Sequence, residues 1–128
     1  MVTQVVHLGG TMGLGPASVL EEILELRFEN GMNEFSLHGE DDYPYLSLMV
    51  RQGQAYLHFF PEEGHPGFHS VGDDDHRGTE SVAFPLGTLR ETVEVPLRSV
   101  ISTEQAIQAA IAFARTGELP AQVQWDEL

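Results

Sequence analysis

An α+β fold, an antiparallel β-sheet with two helices packed on one face, is what three observations on this 128-residue chain predict. Two segments on either side of Gln52-Gly53 alternate apolar and polar residues with the period of a strand. Two others, one near each end of the chain, repeat their apolar residues at helical spacing. The segments between them are short, rich in β-branched and aromatic residues, and bounded by turn-forming Gly, Pro, Asn and Asp. With no repeat and no long linker, the length predicts a single domain over 1–128.

Val2 to Leu8 (VTQVVHL) opens as a strand, and GGTMGLGP follows as a loop. Ser18 and Glu21 form a capping-box pattern that starts a helix. Val19, Leu20, Ile23, Leu24 and Phe28 are its apolar stripe, and Asn30-Gly31 its end. Phe35 and Leu37 alternate with Ser36 and His38 as a strand, and GEDDYP turns the chain.

Tyr45 to Arg51 and Gln54 to Phe60 then read as a hairpin. Pairing Arg51 with Gln54 sets Val50 opposite Ala55, Leu48 opposite Leu57 and Leu46 opposite Phe59, all on one face. The other face carries Tyr45 with Phe60, Ser47 with His58 and Met49 with Tyr56, an aromatic and half-polar surface. Phe68 to Val71, Val82 to Phe84 and Thr92 to Val95 read as three further short strands. A second helix opens after Ser102, with Gln105 completing its capping box, and stops at Gly117 before Pro120. In the closing AQVQWDEL, Val123 and Trp125 alternate with polar residues, which predicts an inward-packed indole.

Charge narrows the function classes. Twenty acidic residues oppose six basic ones, all arginine, for a formal net charge of −14. Direct binding to nucleic acid or to an anionic membrane is disfavoured, and a basic protein partner is favoured. No apolar run approaches the roughly 20 residues of a membrane helix, and the N-terminus lacks the pattern of a secretory signal. The absence of cysteine removes disulfides, thiol nucleophiles and thiolate metal sites. The expected location is cytoplasmic.

The stretch FFPEEGHPGFHSVGDDDH, Phe59 to His76, concentrates carboxylates and histidines. His58, His65, His69 and His76 are metal-ligand types, but Pro66-Gly67 denies His65 and His69 a shared helix, and HExxH is absent. The expectation is therefore loop histidines and no metal or other cofactor. GGTMGLG lacks the lysine of a phosphate-binding loop and reverses the order of the dinucleotide fingerprint. GEDD and the run Asp73, Asp74, Asp75 lack the calcium-loop pattern, and no GxSxG elbow anchors a hydrolase triad.

Three segments together carry a likeness. YPYLSLMV, then AYLHFFPEEGHPGF, then VPLRSVISTEQAIQAAIAFARTGELPAQVQWDEL resemble immunity protein family 1 of bacterial polymorphic toxin systems, over about Gly31 to Leu128. The resemblance implies a non-enzymatic antidote, encoded beside a toxin that is often a nucleic-acid deaminase. Such a protein binds the cognate toxin domain and blocks it, as a monomer or in a 1:1 heterodimer, with no cofactor. On this reading the acidic residues Glu40, Asp41, Asp42, Glu62, Glu63, Asp73, Asp74 and Asp75 form a rim that meets the toxin's basic cleft, and Tyr43, Tyr45 and Phe60 are apolar anchors. Two alternatives remain. One is a small metal-dependent hydrolase using His58, His65 or His69 with Asp73–Asp75; the other is a small-ligand module built on GGTMGLG.

Overall fold

The computed structural model of the chain describes residues 2–13, 20–72 and 78–128. In chain order the elements are β1 (Gln4–His7), β2 (Gly10–Gly13), α1 (Leu20–Leu24), β3 (Met32–His38), β4 (Tyr45–Arg51), β5 (Gln54–Phe60), β6 (Phe68–Val71), β7 (Ser81–Leu86), β8 (Thr88–Pro96), β9 (Ile101–Ser102), α2 (Thr103–Thr116) and β10 (Gln124–Glu127). The main sheet runs β10-β6-β5-β4-β3-β1-β2, with β9 paired to β5, and every pairing is antiparallel.

The β4–β5 hairpin has the register that its apolar alternation requires: Tyr45 faces Phe60, Leu48 faces Leu57 and Arg51 faces Gln54. A slip of one residue would turn every leucine to the opposite face. Leu46, Leu48, Val50, Ala55 and Leu57 are wholly buried, and they pack with Ile23 and Leu24 of α1 and Ala110 and Phe113 of α2 in one core. Each of these leucine, isoleucine, valine and phenylalanine side chains contributes about 1.5–3 kcal/mol through removal from water. Both helices therefore cover one face of the sheet.

Helix α2 is bounded as its sequence signals. The Ser102 hydroxyl accepts from the Gln105 amide at 3.1 Å. Gly117 adopts φ 71° and its N–H donates to the Phe113 carbonyl at 2.7 Å. Trp125 is partly buried: its indole N–H donates to the Pro120 carbonyl at 2.7 Å, and its ring lies 6.4 Å from that of Phe59.

Three elements differ from the sequence reading. The first helix ends at Leu24 rather than running to Phe28. The Arg27 guanidinium donates to the Leu24 and Leu26 carbonyls at 2.6 and 2.9 Å, and the Asn33 amide donates to Leu26 O at 2.9 Å. These side chains satisfy carbonyls that another helical turn would have used. Phe28 is left 39% exposed, and Asn30-Gly31, at φ 59° and 66°, forms a turn into β3 instead of a helix cap. The expected Ser18 cap and Val19 lie outside the described residues.

The second difference is that Gly10–Gly13, read as loop, forms the edge strand β2 against β1. The third concerns β7 and β8, which pair only with each other and form a separate ribbon. This ribbon lies on the sheet face opposite the helices. Phe84 (0% exposed) and Val95 (4%) bury Met49 (9%) there, flanked by Tyr56, Val82, Val93 and Val100. Arg51 ties the layers by donating to the Ala83 carbonyl at 3.1 Å. The half-polar face of the hairpin is thus covered at its Met49 end and partly open at its Tyr45 end.

One edge of β5 serves two strands, with β6 pairing at His58 and Phe59 and β9 at Gln54 and Ala55. Gly72 makes that junction possible. Its N–H donates to the Arg98 carbonyl at 2.7 Å, and a Cβ there would sit 1.8 Å from the Val100 oxygen.

Candidate functional site

Because Tyr45 pairs with Phe60, the segment 39–44 enters the hairpin and the segment 61–67 leaves it at the same end. Glu40, Asp41 and Asp42 are exposed in the first segment, and Glu62 and Glu63 in the second. The tertiary structure thus brings two acidic groups, some twenty residues apart in sequence, to one end of the sheet. Asp73, Asp74 and Asp75 lie outside the described residues, as does His76.

Between the two loops runs a row of rings on the face away from the helices. His38 stacks on Tyr45 at 5.2 Å, Tyr45 on Phe60 at 4.4 Å, and Phe60 on His58 at 4.0 Å, with interplanar angles of 25°, 17° and 15°. Tyr43 leans on Tyr45 at 5.5 Å. The row continues edge-on through Tyr56, 6.2 Å from His58 and 6.1 Å from His69. Strand period places these residues together, since those opposite or two apart share a face. All are partly buried, so they offer apolar contact area without a fully open patch. Tyr43, Tyr45 and Phe60 were expected here. The structure adds His38 through the pairing of β3 with β4, and His69 through the pairing of β5 with β6.

The histidines of the row are held toward the neutral form. Burial lowers the pKa of His38, against a weaker pull from Asp42. Burial likewise lowers that of His58, partly offset by its hydrogen bond to Pro66. His69 is lowered by burial first, with Asp126 opposing and His58 and Arg98 assisting. Burial pushes the Tyr56 phenol up to about 12.

Each histidine of the metal hypothesis has a separate partner. His58 Nε2 lies 2.8 Å from the Pro66 carbonyl, and Gly67 (φ 98°) passes so close that a Cβ would meet that nitrogen at 2.5 Å. His65 bonds Glu127 through Nε2 at 2.8 Å, accepts the Gly67 N–H at Nδ1 at 2.8 Å, and stacks on Phe68 at 5.4 Å. His69 faces His58 across β5 and β6 and lies 3.5 Å from the Tyr56 hydroxyl and 3.9 Å from Asp126. Among the described residues, no group of three or more His, Asp or Glu side chains gathers in a way that could hold a metal ion.

GGTMG, the described part of the proposed small-ligand loop, lies mostly in the β1–β2 hairpin at the edge of the sheet, its Gly13 end across β1 from His38. No helix among the described residues is long and apolar enough to cross a membrane.

A sheet face with stacked rings, flanked by two acidic loops, is suited to contact with another protein. Residues 17–127 match the family model described as immunity protein Imm1, and the chain belongs to that family. The match begins well before Gly31, so it includes α1 as well as the segments that carry the likeness in sequence. No curated protein matches the chain. An immunity protein acts by binding a cognate toxin, so the partner is a protein and the family role is a non-enzymatic one.

Proposed function

We propose that this protein neutralises a secreted polymorphic toxin that acts on nucleic acid, such as a deaminase, by covering the toxin's basic active-site cleft with the acidic end of its sheet. It does so as a single domain over 1–128, a monomer forming a 1:1 complex in the cytoplasm, without metal or cofactor. The contacting residues are Glu40, Asp41, Asp42, Glu62, Glu63 and Asp73–Asp75 as the charged rim, with Tyr43, Tyr45 and Phe60 as anchors.

The observation that carries this reading is the pairing of Tyr45 with Phe60. It sets both acidic loops at one end of the hairpin, beside a row of partly buried rings. Enzymes that act on nucleic acid need basic clefts, and carboxylates complement them. The net charge of −14 adds long-range attraction, which speeds capture more than it tightens the final complex. The rings supply the desolvated contact that slows dissociation. The hydrolase alternative gains no support, because His58, His65 and His69 are each engaged by a different group.

The test mixes the purified chain with the toxin domain encoded beside its gene and follows the toxin's activity on its nucleic-acid substrate. Stoichiometric loss of activity at equimolar protein is expected. Full toxin activity in the presence of excess chain would reject the reading.

A further inference from the structure

We propose that a cleft beside the acidic loop is a receptor for one cationic side chain, an arginine or a lysine, of the protein partner. This deepens the toxin-binding reading and rests on it for the partner's identity. The cleft, of about 350 Å³, lies between the 39–44 segment, the start of the chain and the C-terminal end of α2. Its volume is at the small end of the ligand-cleft range of about 300–1,000 Å³.

Its lining has two chemistries. Val2, Pro44 and Phe113 are apolar, and Tyr43 adds an aromatic ring. Glu40 and Asp41, both exposed, bring carboxylates to the same space. Gly117 marks the C-terminal end of the fourteen-residue α2, where peptide dipoles leave partial negative charge. Arg115 belongs to the last turn of that helix but does not line the cleft.

These features select an occupant. An anion would be repelled by the carboxylates, by the helix end and by a chain of net charge −14. A neutral apolar group would strip water from Glu40 and Asp41 with nothing in return. A small hydrated metal ion has no use for the apolar walls. An arginine or lysine matches both: its stem lies along Pro44 and Tyr43, over a floor formed by the buried Val2 and Phe113, and its head meets the two carboxylates. The Tyr43 ring can add a cation–π contact. Since Tyr43 also leans on Tyr45, the cleft adjoins the ring row, and one basic partner can engage both.

The test uses the intact chain, labelled with ¹⁵N, titrated with the blocked tripeptide acetyl-Gly-Arg-Gly-amide and with its neutral norleucine counterpart. The arginine peptide should give saturable shifts at the amides of Val2, Gly39, Glu40, Asp41 and Gly117, with roughly millimolar affinity as befits one side chain. The norleucine peptide should give none. The double variant Glu40→Gln, Asp41→Asn should weaken binding roughly threefold or more, the size expected for two exposed charge contacts. Thr3→Arg offers the cleft a cation from within the chain and should abolish binding while the fold, read by thermal melting, persists. No saturable shift, equal shifts from both peptides, or undiminished shifts in the double variant would overturn the proposal. The toxin domain provides the second arm. If it binds the wild type and both variants equally, the cleft proposal falls and the toxin reading stands. If the peptide seats but the toxin ignores the wild type, the cleft stands and the toxin reading falls.

Discussion

Removing the five described rim charges should slow toxin capture by an amount that salt erases. The variant is Glu40→Gln, Asp41→Asn, Asp42→Asn, Glu62→Gln and Glu63→Gln, all exposed positions at one end of the β4–β5 hairpin. Two unit charges about 10 Å apart in water interact by about 0.4 kcal/mol before screening. At 0.1 M salt the Debye length is about 10 Å, which reduces this to about 0.15 kcal/mol. Five charges facing one partner cation then change the encounter rate about fourfold. At 0.01 M, where the Debye length is about 30 Å, the same sum gives roughly twelvefold, and at 1 M the ratio falls to about one. Stopped-flow association with the toxin domain at the three salt concentrations measures these ratios. A control variant, Glu21→Gln, Glu22→Gln and Glu25→Gln, removes exposed charges on and just after α1, the helix on the far side of the sheet. Its effect per charge should be smaller. The fold should persist in both variants, since exposed charges contribute little to stability. If the two variants slow capture equally per charge, only net charge matters and the rim has no special place. If neither does, the toxin meets another face by other forces.

The remaining predictions concern the scaffold that presents this face. Leu48→Ala should lower stability by about 2–5 kcal/mol, because Leu48 is wholly buried between Phe35 and Leu57. Urea unfolding should show a lower midpoint at unchanged slope. Asn33→Leu should be destabilising by about 2–4 kcal/mol, since it orphans the Leu8 and Glu34 amides, which the buried Asn33 side chain now satisfies, and leaves the Leu26 carbonyl to Arg27 alone. A melting temperature equal to wild type would contradict that account. Stability should also fall as pH drops from 7.5 to 5.5. His38, His58 and His69 have folded pKa values below their unfolded value of 6.5, so the unfolded chain takes up protons first. Their stabilising effect is full above 6.5 and is lost as pH falls through the folded values. Replacing His58 and His69 by Gln should flatten the thermal-melt profile over that window.

Legibility differed between elements for physical reasons. The β4–β5 register was readable because a period-two apolar pattern around a two-residue turn admits only one pairing that buries every leucine. The limits of α2 were readable because Ser102 and Gly117 act on backbone groups within a few residues of themselves. The acidic ends of the hairpin followed from the same register. The first helix was misread because its stripe continues to Phe28 while Asn33, several residues on, takes the Leu26 carbonyl. That bond depends on where β3 lies, which no local pattern encodes. Pairing partners for β7 and β8 were likewise open, since short β-branched segments fit a sheet or a separate ribbon equally well.

By itself, the sequence determined the sheet's buried face, the second helix, the charge and the likeness to an immunity family. Each of these depends on local periodicity, on composition or on motifs read in order. Only the tertiary structure decided that His38, Tyr45, Phe60 and His58 stack in one row, that a ribbon covers the Met49 end of the same face, and that Val2, Tyr43 and Phe113 enclose one cleft. Those residues come from distant parts of the chain, and their meeting depends on strand order and layer packing, which long-range contacts set.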